Sequence, residues 1–311
     1  MGTFLCSVAA LATLVQAPSP PPPPSDSLAV VRERVARDTT DGAGWLLVGR
    51  GLLQRAAGAD SAAARAALDT AEAALVRAAG LAGQLGTSPA GDSARVWRVA
   101  VWAARSRLTW QQNGIAAALD AWGPLPTDLR VPAVLEELGE NLLRACPTGG
   151  ALLTATDADS YAAWYMRFAR GLRPDLLVLP LAAWRSDAPL RARLAHDLKL
   201  SRRAPDDGWV AELARRRPVC ISMAFERPPD VRPRVGWAPR ALVWVAGPKG
   251  KSAAVPARDF VFAALRVGLD AHDPWADPAL AAYARAARAT RALCEPLATF
   301  KVSAEVATCR K

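Results

Sequence analysis

The sequence predicts a two-part chain: an all-α bundle followed by an α/β unit with a mainly parallel sheet and helices on both faces. Three observations carry that reading. Across residues 26–145 apolar positions recur at helical spacing. Four short apolar runs follow, at 151–156, 176–181, 219–225 and 241–246, each separated by helical pattern. Strands that alternate with helices are joined by crossovers, and crossovers build parallel sheets buried on both sides. At 311 residues and a mean hydropathy of +0.08, the chain has side chains enough for two cores and is not globally disordered.

Residues 1–17 read as a signal peptide or targeting segment. Phe4 to Val15 is an apolar run of signal length, too short to span a bilayer. Small-x-small sites follow at Ala10-Leu11-Ala12 and Val15-Gln16-Ala17. Residues 18–27 are a proline-rich linker, extended and stiff. No later stretch approaches 18 uncharged apolar residues, so the mature chain is expected to carry no transmembrane helix. The expected location is extracytoplasmic, periplasmic or secreted, with the N-terminus as a possible membrane contact.

Residues 28–145 form the expected helical domain. Leu28, Val31 and Val35 share one helical face, and Asp41-Gly42 marks a turn. The stretch Trp45-Leu-Leu-Val48-Gly49-Arg-Gly-Leu52 resembles the first helix of a tetratricopeptide repeat, whose pattern is W-x2-L-G-x2-Y. Residues 63–79 supply its partner, with Ala67, Ala71 and Ala74 where the helices would press together. A second hairpin is expected from 93–112 and 115–122, with Trp97, Val101, Arg105 and Leu108 in register. The result is a degenerate tetratricopeptide-like bundle, suited to binding a protein partner or to scaffolding its neighbour.

Residues 146–311 form the expected α/β domain, Rossmann-like in its alternation. Strand 151–156 ends in an acidic turn with Asp157 and Asp159, and a helix follows in which Tyr161, Trp164, Tyr165 and Phe168 fall on one face. Asp159 or Ser160 is placed to cap that helix. Ligands of open α/β sheets bind beyond the carboxyl ends of the strands, where these aspartates fall. Further helices are expected after Asp187, over 209–216, 256–269 and 278–292.

Asp157-Ala-Asp159-Ser-Tyr161, Trp164-Tyr165 and Gly171-Leu-Arg173-Pro174-Asp175, with Arg217-Pro218-Val219 further on, resemble the soluble part of membrane glycosyltransferases related to protein O-mannosyltransferases. The similarity covers roughly 146–225. That family carries Gly-Asp-Asn-Asp where this chain has Ala-Thr-Asp157-Ala-Asp159, and its membrane-embedded catalytic portion has no counterpart here. The resemblance therefore implies an extracytoplasmic α/β domain and not transferase activity.

Composition bounds the chemistry. The charge is +10, yet only five of the 39 basic residues are lysine and the arginines are dispersed; no nucleic-acid module is recognisable, and none is expected as a partner. Setting Cys6 aside, Cys146, Cys220, Cys294 and Cys309 allow three pairings, with Cys294–Cys309 closing a short loop and Cys146–Cys220 meeting if their strands are neighbours. Asp157 and Asp159 are the foremost site candidates: they can share a divalent cation, or else Asp159 caps a helix and Asp157 pairs with an arginine such as Arg173. Tyr161, Arg173 and Trp237 complete the ligand-binding candidates. Asp270, His272, Asp273 and Asp277 read as turn chemistry, His196 as a surface residue, and Gly247–Lys251 as a solvated loop.

These readings favour an exported, non-enzymatic binding or scaffold protein that recognises a protein partner or a glycan of the cell envelope. The alternatives are a cation-dependent enzyme acting on glycans and an accessory subunit of a membrane glycosyltransferase.

Overall fold

A computed structural model describes residues 25–82, 89–114, 126, 128–201, 207–248 and 255–310. The expected targeting segment and nearly all of the proline-rich linker lie outside these residues, as do 115–122 of the second expected hairpin and 249–251 of the glycine–lysine loop.

The first part is built from four helices, α1 (Ser25–Arg37), α2 (Gly42–Ala57), α3 (Ser61–Leu81) and α4 (Pro89–Asn113). Asp41 caps α2 by accepting from the Gly44 amide at 2.8 Å, and Asp60 caps α3 through the Ala62 and Ala63 amides. Helices α2 and α3 form a hairpin whose closeness depends on Gly49. A methyl group there would lie 2.5 Å from Leu75 Cγ. Ala71 and Ala74 are buried in the same seam. Between α3 and α4 polar contacts flank the apolar ones of Val101 and Ala104. Glu72 accepts from Trp102 Nε1 at 2.9 Å and from Arg105, while Arg98, almost wholly buried, pairs with Asp128 at 2.6 Å.

After α5 (Ala133–Ala145) come three parallel strands, β1 (Ala151–Thr154), β2 (Leu177–Pro180) and β3 (Val219–Ser222), then β4 (Ala238–Arg240) and β5 (Val243–Ala246). The sheet order is β2-β1-β3-β5-β4, with β5 antiparallel to both β3 and β4. The sheet is therefore mixed, with a parallel core and an antiparallel edge. Strand β4 is an addition to the expected set. It contains Pro239, which an edge strand tolerates because one row of its backbone groups needs no partner.

Side chains alternate across the sheet. Leu152, Val178, Cys220 and Val243 face one core; Leu153, Leu179, Ile221 and Ala246 face the other. The first face is covered by α5, by α6 (Asp157–Trp164), and by α10 (Ala263–Asp270) and α11 (Ala276–Ala289). The second is covered by α7 (Leu181–Ser186), α8 (Ala188–Asp197) and α9 (Gly208–Ala214), with Trp184 stacked on Trp209 at 4.0 Å. The step from β1 to β2 passes over the first face, and the return from β2 to β3 passes over the second. Opposite directions on opposite faces give both crossovers the same hand. The expected helix over 256–269 is shorter, a single turn at Ala257–Asp259 and then α10; the last expected helix ends at Ala289, and α12 (Cys294–Thr299) follows.

Helix α5, on the helical side of the expected 145/146 boundary, packs on the sheet through Leu138 and Leu142. Gly139 lets it do so, since a methyl there would lie 2.4 Å from the Ala162 carbonyl oxygen of α6. Helix α4 reaches further. Val101 and Ala104 belong to the core of the helical part, Val96 and Val99 to the first face of the sheet, and Trp110 to the second.

Both candidate cysteine pairs form disulfides, Cys146–Cys220 with Cα atoms 5.8 Å apart and Cys294–Cys309 at 5.2 Å. The first is possible because β1 and β3 are neighbours. Among the described residues no helix is long and apolar enough to cross a membrane. The bridges close loops with sequence separations of 74 and 15, so a chain-entropy argument assigns them about 4.5 and about 3 kcal/mol. Urea denaturation of Cys146→Ala/Cys220→Ala is expected to show the larger loss of stability, and Cys294→Ala/Cys309→Ala the smaller.

Candidate functional site

Strands β1 and β3 end side by side, and the carboxyl ends of such strands are where open α/β sheets take ligands. Helix α6 starts there. Its N-cap is Thr156, not Asp159 or Ser160, and Asp159 completes a capping box as the third residue of the helix. Asp159 Oδ2 accepts from the Ala155 amide at 2.9 Å, and Oδ1 accepts from the Thr156 amide at 2.6 Å and the Thr156 hydroxyl at 2.8 Å. Ser222, at the end of β3, also bonds to it. Asp159 is 1 % exposed. Burial raises its carboxyl above the usual range, and these hydrogen bonds oppose the rise.

Asp157 has the other fate. Its side chain is exposed, although the protein packed behind it removes enough solvent to raise its carboxyl; the neighbouring Asp159 adds to the rise, while Arg50 and a hydrogen bond from Tyr161 oppose it. Tyr161 is the hub of this cluster. Trp97 of α4 meets it edge-on at 5.9 Å, and the Arg50 guanidinium of α2 lies 4.7 Å over the Trp97 ring. Burial and the Asp157 carboxylate raise the Tyr161 hydroxyl far above its usual range, against the pull of Arg107 and Arg50. The site is thus shared: Asp157 and Tyr161 come from the α/β part, Arg50, Trp97 and Arg107 from the helical part.

The expected aromatic face is broken by a π-helical turn over Tyr165–Ala169. Trp164 and Phe168 stay together at 4.5 Å, and Tyr165 turns away to donate to the Leu129 carbonyl at 3.3 Å.

Arg173 does not join this site. It lies at the opposite, amino-terminal edge of the sheet with φ of 52°, forks onto Asp175 through two bonds of 2.9 Å, and donates to the Leu143 and Cys146 carbonyls. The expected Asp157–Arg173 pairing is therefore replaced by Arg173–Asp175, which pushes the Asp175 carboxyl down to about 2. Trp237 is half-buried against the second core, beside β4, and not beside Asp157. Asp270 pairs with Arg266 one turn earlier in α10, an ion pair within the helix, whereas Asp273 accepts from the Trp275 amide at 2.8 Å as expected of a turn. His196 is exposed beside Asp197. Among the described residues no group of three or more His, Cys, Asp or Glu is arranged for a metal. Asp159, with both oxygens engaged, is a poor cation ligand.

Sequence reading passes over Arg50, Trp97 and Arg107 as site residues. Arg50 is one arginine among many, and Trp97 reads as helix core; only the packing of α2 and α4 against α6 brings them together.

A separate groove of about 310 Å³ lies between α5, the π-helical turn and Val261, with Glu136, Glu137 and Glu140 on its wall. Glu137 accepts from the Ala264 and Leu265 amides at 2.8 and 3.0 Å, clamping the start of α10. Burial nevertheless pushes its carboxyl up to about 7.

In comparisons with protein-family models, curated proteins and solved structures, nothing matches this chain.

A pH dependence follows from Glu137. A carboxyl raised from 4.5 to about 7 binds more protons in the folded state than in the unfolded. Its stabilising contribution is complete below about pH 4.5 and is lost as pH rises through 7. Asp157 and Asp159 act in the same direction. In urea titrations between pH 4.5 and 8, Glu137→Gln is expected to flatten the fall of stability with pH; an unchanged slope would count against the assignment.

Proposed function

We propose that this is an extracytoplasmic, non-enzymatic binding protein that takes a glycan or a protein partner at the surface around Asp157, beside Tyr161. The observation that carries the reading is the unequal use of the two aspartates. Asp159 is committed to the capping box and to β3, whereas Asp157 faces solvent beside an aromatic and cationic wall. Two-carboxylate catalysis and shared cation binding both need Asp159 free, which speaks against the cation-dependent enzyme. An exposed carboxylate beside aromatic and cationic side chains is recognition chemistry.

Two disulfides and the apolar Phe4–Val15 run support an oxidising, extracytoplasmic setting. In this reading α2 and α3 are a degenerate tetratricopeptide-like hairpin, supported by the Gly49 seam, and the sheet is Rossmann-like, supported by its two like-handed crossovers. The role of accessory subunit to a membrane glycosyltransferase rests on the sequence resemblance alone.

Thermal-shift screening against a glycan panel separates the roles of the two aspartates. Asp157→Asn is expected to keep the wild-type melting temperature and abolish ligand-dependent stabilisation. Asp159→Asn is expected to lower stability by about 1–3 kcal/mol through its lost buried hydrogen bonds. Ligand stabilisation that survives Asp157→Asn would move the site elsewhere.

A further inference from the structure

The groove beside α5 holds acceptors that the fold does not use up. Glu136, Glu137 and Glu140 stand on its wall, and Met166 and Val261 give it an apolar surface. Asn141, one turn beyond Glu137, lines the same groove and is 1 % exposed. Both of its hydrogen bonds run from the amide nitrogen, to the Val261 carbonyl at 2.7 Å and the Tyr283 hydroxyl at 3.2 Å. Among the described residues its Oδ1 accepts no hydrogen bond, and a buried acceptor in that state calls for a donor. Glu137 gives one lone pair of each oxygen to the Ala264 and Leu265 amides, which leaves further acceptor capacity. The two arginines of the groove do not neutralise these groups. Arg144 pairs with Glu140 at 3.5 Å, Arg170 is exposed, and among the described residues neither forms an ion pair with Glu136 or Glu137.

Acceptors in want of a donor, beside an apolar surface, describe a cation on a hydrocarbon stem. A lysine side chain is that group: its ammonium has three rotatable donors and no acceptor, and its methylenes pack on apolar side chains. The acceptors here come from separate side chains, an arrangement for a point charge more than for a planar guanidinium. We infer that the groove docks a lysine side chain of a partner polypeptide, with the stem on Met166 and Val261 and the ammonium among Glu136, Glu137 and Asn141 Oδ1. Val261 is 42 % exposed, so the partner's neighbouring residues have an apolar surface to cover. The net charge of +10 opposes a cationic partner at long range, but exposed charges are screened beyond about 8 Å at physiological ionic strength, and the carboxylates of the groove act within that distance. The groove is separate from the Asp157 cluster, and either assignment stands or falls without the other.

Isothermal titration of the full chain at pH 7 tests it, with acetyl-Val-Lys-Val-amide, the same peptide acetylated on the lysine nitrogen, and cadaverine. The lysine peptide is expected to bind roughly tenfold or more tightly than either of the others, the worth of a charge-assisted hydrogen bond. Glu136→Gln, at a half-buried side chain, should remove most of that preference and leave the melting temperature unchanged. Glu137 adds a signature that loose attraction to a charged surface would not produce. Burial, with Glu140 adding to it, holds its carboxyl up at about 7, so at pH 7 it is partly protonated, and a cation beside it favours the carboxylate and expels the proton. Binding should therefore be more exothermic in Tris, which takes up protons with the larger heat, than in PIPES, and Glu137→Gln should abolish the difference. Equal affinity for the acetylated peptide, or a preference that survives Glu136→Gln, would overturn the inference. Tighter binding of cadaverine would overturn the polypeptide partner, and equal heats in the two buffers would overturn the placement of the ammonium at Glu137.

Discussion

Helix α4 is the constraint on which the rest of the structure depends. It is a 25-residue helix that contributes side chains to all three apolar cores. Burial of Val96 and Val99 against the sheet, of Val101 and Ala104 against α3, and of Trp110 against α8 fixes its position on three sides. Apolar burial is non-directional, so it sets proximity and not register. The polar contacts along the same helix supply register: Arg98 to Asp128, Trp102 and Arg105 to Glu72, Gln111 to Asp187. Trp97 sits within this span, which is why it meets Tyr161 at a defined angle.

The two edges of the sheet have divided their work. At the amino-terminal edge the polar groups are consumed by structure. Arg173 ties the end of α5 to Asp175, Asp175 holds the Gly149 amide, and Cys146 is bonded to Cys220. At the carboxyl edge the capping box consumes Asp159 and leaves Asp157 exposed, with Tyr161 and Arg50 near it. A fixed edge and an underused edge are what a rigid recognition site requires, since its geometry must be held from behind.

Much of the fold was legible in the sequence. Four of the five strands follow from apolar runs, and Asp187 and Pro189 mark the start of α8 as their types demand. The mixed sheet was not legible, because an apolar run such as 241–246 carries no direction. Strand β4 was hidden by Pro239 and by the exposure of Ala238. The site was half legible. Asp157 and Asp159 stand out as a pair after a strand, but which of them is spent depends on Thr156 and Ser222. Arg50 and Arg107 come to Tyr161 through helix packing across a long sequence separation, which no local pattern encodes.

Because it packs into all three cores, α4 joins the helical part and the sheet into one cooperative unit, with the site at their seam. Equilibrium urea unfolding followed together by far-UV circular dichroism and tryptophan fluorescence tests it most directly. One transition with coincident midpoints for both probes is expected. Two separated transitions, with the helical part melting independently of the sheet, would contradict it.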